Sequence, residues 1–138
     1  MTPAELLPLL RPYRLAVAST VHDGAPQAAV VGIAVTDTLD IIFDTLTTSR
    51  KFANLIADPH IALVIGWDNQ QTIQIEGVAD FPADDELDAC KQAYFAVWPD
   101  GRERETWPDI AYIRVRPRWV RHSDFNGMPP RIAELTLP

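Results

Sequence analysis

The segment Thr47-Thr48-Ser49-Arg50-Lys51 brings three hydroxyls and two cations together at the head of a predicted helix. Thr47, Thr48 and Ser49 offer side-chain oxygens that cap free helix amides. Phe52, Leu55 and Ile56 follow at helical spacing and are expected to face a core, with Arg50, Asn54 and Asp58 on the opposite, polar side. Pro59 ends the run. Free N–H groups at a helix N-terminus attract anions. The helix dipole favours acids there, so Arg50 and Lys51 stand where cations are disfavoured. An anion such as a phosphate, seated between the cations and the amides, would resolve that conflict. Two solvated charges opening an ordinary surface helix are the alternative, and the segment alone does not choose.

Other reactive residue types show weaker patterns. Cys90 is the only cysteine, which excludes an intrachain disulfide and a cysteine-rich metal site. It sits mid-helix near Leu87 and Ala89 and reads as buried filler. His22, His60 and His122 are far apart and lack metal-ligand spacing. His22 reads as a turn residue and His60 as a strand-end cap. Trp67, Trp98, Trp107 and Trp119 each read as bulky filler at a core or interface. Arg114, Arg116 and Arg118 alternate along one strand and read as a solvated face paired with acidic neighbours. No Ser-His-Asp order, glycine-rich phosphate loop or carboxylate pair stands out.

The elements that must position these groups fit one soluble domain over residues 1–138, with 47% apolar and 22% charged residues. A net charge of −7 argues against non-specific nucleic-acid binding, and no apolar run reaches membrane-spanning length. The basic residues are ten Arg and two Lys, and arginine suits fixed phosphate or carboxylate contacts. The lone cysteine and the absence of a signal-peptide pattern point to a reducing, cytoplasmic compartment.

Residues 3–10 are expected to form a short N-terminal helix, within an N-terminal segment 1–12. Residues 14–21 and 27–36 read as strands joined at Asp23-Gly24. Residues 38–45 alternate, with Leu39, Ile41 and Phe43 on one side. The helix of residues 48–58 follows, then strands over 60–67 and 71–81. In the latter, Ile73 and Ile75 point inward, Thr72, Gln74 and Glu76 point outward, and Gly77 marks a bulge. An acid-led helix over 84–97, a charged loop over 99–108 and a sixth strand over 109–120 complete the body. Residues 123–138 are expected to be an extended arm. The sum is a mainly β fold with inserted α-helices: a six-stranded antiparallel barrel. Val30–Val35 and Ile61–Ile65 are apolar on both faces, which points to a homodimer.

Arg14-Leu-Ala-Val-Ala-Ser19, Phe43-Asp-Thr45, Ser49-Arg50-Lys51 with Leu55 and Asp58-Pro59, and Gln74-Ile75-Glu76-Gly77 occur in an order that resembles the pyridoxamine 5′-phosphate oxidase-like flavoproteins, FMN-binding split barrels. The resemblance runs from about Tyr13 to His122. It implies that Arg14, Arg50 and Lys51 hold the FMN phosphate beside Ser49. It implies that Leu15, Ala16 and Val17 lie along the flavin with Ser19 ending that motif, that Thr45 contacts the flavin, and that Thr72 matches a glutamine of the oxidases. It further implies that the cofactor lies in a cleft between two subunits, with Trp98 facing the substrate.

Four departures accompany it. Ser19 replaces a lysine, Asp44 an aromatic residue, and Trp98 an arginine that helps hold the substrate phosphate. The C-terminal Arg-x-His segment has no counterpart. An indole cannot replace a bidentate guanidinium. The expectation is therefore an FMN-dependent oxidoreductase acting on a small molecule other than pyridoxamine phosphate. A deazaflavin-dependent reductase, or a non-enzymatic flavin- or haem-binding protein of stress or storage, is the alternative.

Overall fold

Helix α1 (Pro3–Leu10) begins at Thr2, whose hydroxyl accepts from the Glu5 amide while the Glu5 carboxylate takes the Thr2 N–H. In the computed structural model, which describes residues 1–138, Leu6 and Leu10 of this helix plug the barrel core. Asp23 and Gly24 both adopt left-handed φ, at 49° and 79°, as a two-residue primed turn requires. That turn joins β1 (Leu15–His22) to β2 (Ala25–Gly32) in a continuous ladder from Leu15↔Gly32 to His22↔Ala25.

β3 (Ala34–Val35), β4 (Ile41–Leu46), α2 (Arg50–Ala57), β5 (His60–Ile65), β6 (Gln71–Asp80), α3 (Asp84–Val97), α4 (Gly101–Arg104), β7 (Ile110–Asp124) and β8 (Arg131–Thr136) follow. The sheet runs β2-β1-β5-β6-β7-β4-β3, with β8 on β7, and every pairing is antiparallel. The result is the curled, antiparallel split barrel with inserted helices that the pattern predicts. Ala16, Ala18, Ile61, Leu63, Ile65, Ile73, Ile75, Ile113 and Val115 fill it, with Leu55 of α2 closing one side. A second apolar cluster clamps α3 to the outside: Cys90, Tyr94 and Phe95 against Ile42 and Tyr112.

Three local outcomes differ from the expectations or sharpen them. The expected strand over 27–36 breaks at Ile33, giving β2 and β3. The Ile33 N–H still bonds the Arg14 carbonyl in register with the β1–β2 ladder, but its own carbonyl accepts the Trp98 indole N–H, and from Ala34 the chain pairs with β4 instead. The expected C-terminal arm is a strand, β8. β4 pairs only the first half of β7, so the edge from Trp119 to Asp124 is open and the tail fills it. These two changes raise the strand count from six to eight. Gly77 does mark a register shift, and a Cβ there would stand 2.6 Å from the Arg116 carbonyl oxygen.

Candidate functional site

Strand β4 delivers Thr45 into the head of α2, where its hydroxyl lies 2.9 Å from that of Ser49. Ser49 is the N-cap, accepting the Phe52 amide at 3.2 Å. Arg50 and Lys51 occupy the first turn, which has no acidic residue, and neither has a carboxylate within 4 Å. They overhang a pocket of about 110 Å³ between α2 and the β1–β2 hairpin, lined by Ala18, Thr20, Gln27, Ala28 and Ala29. Thr45, Ser49, Arg50 and Lys51 are thus brought to one place, as expected.

The faces of α2 differ from the expected ones. Ile56 is 62% exposed, whereas Asn54 is 4% exposed. Asn54 turns inward because two partners await it: its Nδ2 donates to Thr20 Oγ1 at 2.9 Å and to Gln27 Oε1 at 3.0 Å. A buried amide so satisfied is stable where an unpaired one would not be. Both partners line the Arg50–Lys51 pocket. With Gln27 Oε1 engaged, the donor end of its amide is left for a ligand. Sequence reading missed Thr20, Gln27 and Asn54. The sequence places Asn54 on the Arg50 side of the helix but carries no sign that Thr20 and Gln27, 34 and 27 residues away, meet it there.

Arg14 does not join this group. At roughly 3.3 Å per strand residue it begins about 13 Å along β1 from Ala18. Its guanidinium lies 4.3 Å over the Trp98 ring, and Nη2 donates to the Val97 carbonyl at the end of α3. Trp98 is half-buried, its indole N–H donating to Ile33 O at 3.0 Å and its ring filling the space over Gly32, where a Cβ would come within 2.9 Å. The expected three-cation clamp is therefore two cations at one end of β1 and one at the other. Trp98 packs on backbone and on Arg14.

Along β1 between these ends the side chains alternate. Ala16 is buried in the core, while Leu15, Val17 and Ser19 lie on the other face. Ser19 stands opposite Ala28 on one side and Ala62 on the other. Thr72 is on β6 opposite Ser123 and shares no pocket with Arg50 within one chain.

The remaining candidates hold the scaffold together. Asp44 accepts from Tyr94 Oη at 3.1 Å and from Arg104 Nε at 2.9 Å, pinning α3 and α4 to β4. Burial, then the Asp44 charge, pushes the Tyr94 phenol pKa well up. Arg114 is buried and not solvated, with a two-pronged pair to Asp80 at 2.8 and 3.1 Å and a longer one to Glu86 at 3.3 Å. Arg116 shares Asp80. His60 is exposed with Nδ1 2.7 Å from Asp58 Oδ1, and the two hydrogen bonds Asp58 takes from it lower the Asp58 pKa. Cys90 is buried, which raises its thiol pKa, as filler requires. No group of three His, Cys, Asp or Glu is placed to hold a metal.

The donor set at α2 fits a phosphate. Two cations in the first turn of the helix lack counter-charges and overhang the pocket, and the N-terminal end of a helix attracts anions.

The pyridoxamine 5′-phosphate oxidase family pattern matches residues 2–124. The pyridoxine/pyridoxamine 5′-phosphate oxidase of Cupriavidus taiwanensis is 31% identical over 131 residues, covering 89% of this chain and 60% of that protein. The Burkholderia vietnamiensis enzyme of the same name is 34% identical over 100 residues, covering 72% and 45%. The chain thus spans three-fifths or less of the length of these relatives. Among solved structures, a heme binding protein from Mycobacterium smegmatis superposes with a TM-score of 0.80 at 20% identity, over 97% of this chain and 56% of that one. A pyridoxamine 5′-phosphate oxidase-related, FMN binding protein from Nostoc punctiforme gives 0.67 at 16% identity, over 91% and 88%. No helix is long and apolar enough to cross a membrane. With the split barrel and an extensive match to the family pattern, this chain belongs to the pyridoxamine 5′-phosphate oxidase family.

Proposed function

We propose that the protein binds FMN by its phosphate at Arg50 and Lys51 and is an FMN-dependent oxidoreductase of a small molecule other than pyridoxamine 5′-phosphate. The observation that carries this is the uncompensated Arg50–Lys51 pair over the Asn54–Thr20–Gln27 floor. When bound, FMN supplies hydride and electron transfer at its ring. The chain's own residues bind and orient. Arg50 and Lys51 neutralise the phosphate, Gln27 offers a donor, and the Thr45–Ser49 pair fixes the strand-to-helix corner. No side chain at this pocket is a general acid or base, and the proposed chemistry does not demand one.

Solved structures that share this fold include a heme binding protein and an FMN binding protein, so the absorption spectrum of freshly purified protein is the first test. Flavin bands support FMN, a Soret band supports haem, and a protein that takes up neither overturns the cofactor assignment. A deazaflavin is separated from FMN by its own spectrum.

A homodimer with the cofactor in the intersubunit cleft belongs to the same proposal. Its support is the face of the barrel wall where Val30 is 61% exposed, flanked by Val17 and Val64. Exposed apolar area of this kind marks an interface. Light scattering on a size-exclusion column is expected to give twice the 15.4 kDa chain mass; monomer at micromolar concentration would contradict it. The expected compartment is the cytoplasm.

A further inference from the structure

We propose that the hollow between Tyr13, Leu15 and Trp67 is a subsite for a planar aromatic carboxylate, gripped by Arg14, and that Trp98 is the positioning residue that holds Arg14 in place. The hollow measures about 310 Å³ and is completed by Gly66 and Asp68. Its walls are aromatic and apolar: Trp67 is 48% exposed, Leu15 is exposed, and the Tyr13 ring packs so closely on Gly66 that a Cβ there would lie 2.7 Å away. Such a slot suits a flat ring.

Arg14 supplies the polar anchor. It has no carboxylate within 4 Å, although six of the other basic residues do. Its charge is not loose either. The indole face and the Val97 carbonyl fix it, while Nε and Nη1 have no partner in the chain. The indole is fixed in turn by Ile33 O and by the room that Gly32 leaves. A cation immobilised by packing and a backbone carbonyl, with no carboxylate within 4 Å, is pre-organised for an acceptor, which lowers the ordering cost of binding. The neighbouring Asp68 carboxylate chooses the acceptor's charge. A carboxylate adds one negative charge beside it, a phosphate nearly two.

The backbone opposite Arg14 is also under constraint. Asn69 and Gln70 take left-handed φ of 53° and 56°, and Asn126 Nδ2 donates to the Asn69 carbonyl at 2.9 Å, fastening the turn that carries Trp67 and Asp68. Both φ values are those a two-residue primed hairpin turn requires, and the Gln71 N–H closes that turn on the Asp68 carbonyl at 3.0 Å, which holds Trp67 and Asp68 in place.

The inference gives a substrate class to the oxidoreductase proposed above, and rests on that proposal for the ligand's role as substrate; the subsite itself does not depend on FMN. The test is calorimetric titration of the purified protein with benzoate, benzamide and phenyl phosphate, for wild type, Arg14→Gln, Trp98→Ala and Trp98→Phe. Wild type is expected to prefer benzoate over benzamide by roughly tenfold to a hundredfold, the worth of one charge-assisted contact, and to bind phenyl phosphate more weakly than benzoate. The preference should vanish in Arg14→Gln and fall about tenfold in Trp98→Ala. It should largely survive in Trp98→Phe, which keeps an aromatic face for the guanidinium. No preference in wild type, a preference that survives Arg14→Gln, or tighter phenyl phosphate binding would each overturn the subsite. FMN affinity is measured on the same proteins. Loss of FMN in Arg14→Gln would return Arg14 to the cofactor and sink the subsite. Failure of wild type to bind FMN, with the benzoate preference present, would sink the cofactor proposal alone.

Discussion

The two ends of strand β1 each meet an arginine, and they treat it in opposite ways. At the α2 end, Arg50 extends from a helix turn over a floor of hydrogen-bonded amide and hydroxyl groups, with Lys51 beside it. At the α3 end, Arg14 lies flat on an indole and is tied to a backbone carbonyl. The first arrangement concentrates charge and leaves the cations free to close on an anion. The second fixes one cation rigidly before any ligand arrives. The difference teaches that a residue type and a motif position do not settle a role. What surrounds the guanidinium does.

That contrast is sharpest in how each end responds to losing its support. Trp98→Ala should be the most costly single change, about 2–3 kcal/mol in urea denaturation. That lies below the roughly 3–5 kcal/mol of a fully buried tryptophan because the ring is half-exposed. FMN affinity should be unaltered. Asn54→Leu should cost about 1–3 kcal/mol, by leaving the buried Thr20 hydroxyl and the Gln27 carbonyl without their donor. Unlike Trp98→Ala, it should also weaken FMN binding, because it loosens the pocket floor. Equal effects of both changes on FMN would break the division between the ends.

Smaller effects refine the α3 end. Gly32→Ala places a Cβ 2.9 Å from the indole, so Trp98 must move, at roughly 1–2 kcal/mol. Its fluorescence should shift while the FMN titration stays unchanged. The tyrosines give the mildest readout. All three have phenol pKa values raised above 10, chiefly by burial, with the Asp68 carboxylate adding to it for Tyr13 and Asp44 for Tyr94 and Tyr112. A raised folded pKa means the stabilisation is full below the unfolded value and is lost as pH rises through the folded one. Absorbance at the tyrosinate band should therefore lag behind that of the urea-unfolded chain above pH 10. Superimposable titration curves would contradict these environments.

Much of the fold was legible because its signals are local. The Asp23-Gly24 turn, the acid-led helix at Asp84, the Ile73–Ile75 alternation and the Gly77 bulge each follow from residues within a few positions. β8 was not legible. Its residues bury little, and it forms because β7 outruns β4 and offers an open edge far away in sequence. The site divides the same way. Ser49, Arg50 and Lys51 announce themselves as a helix start. Asn54 hides, because an asparagine on a helix reads as solvated until Thr20 and Gln27 come to meet it from the hairpin. The place of Arg14 was hidden too, since only the fold brings Trp98 across to it from 84 positions away.

The most direct test of the phosphate clamp is flavin-fluorescence titration of wild type, Arg50→Ala and Arg14→Gln with FMN and with riboflavin. Arg50→Ala is expected to weaken FMN binding roughly tenfold to a hundredfold, for the loss of a contact worth about 1.5–3 kcal/mol, and to leave riboflavin, which lacks the phosphate, nearly unchanged. Arg50→Lys should recover only part of the loss, and Arg14→Gln should match wild type. Equal FMN affinity in wild type and Arg50→Ala would contradict the account and return Arg50 to the solvated surface.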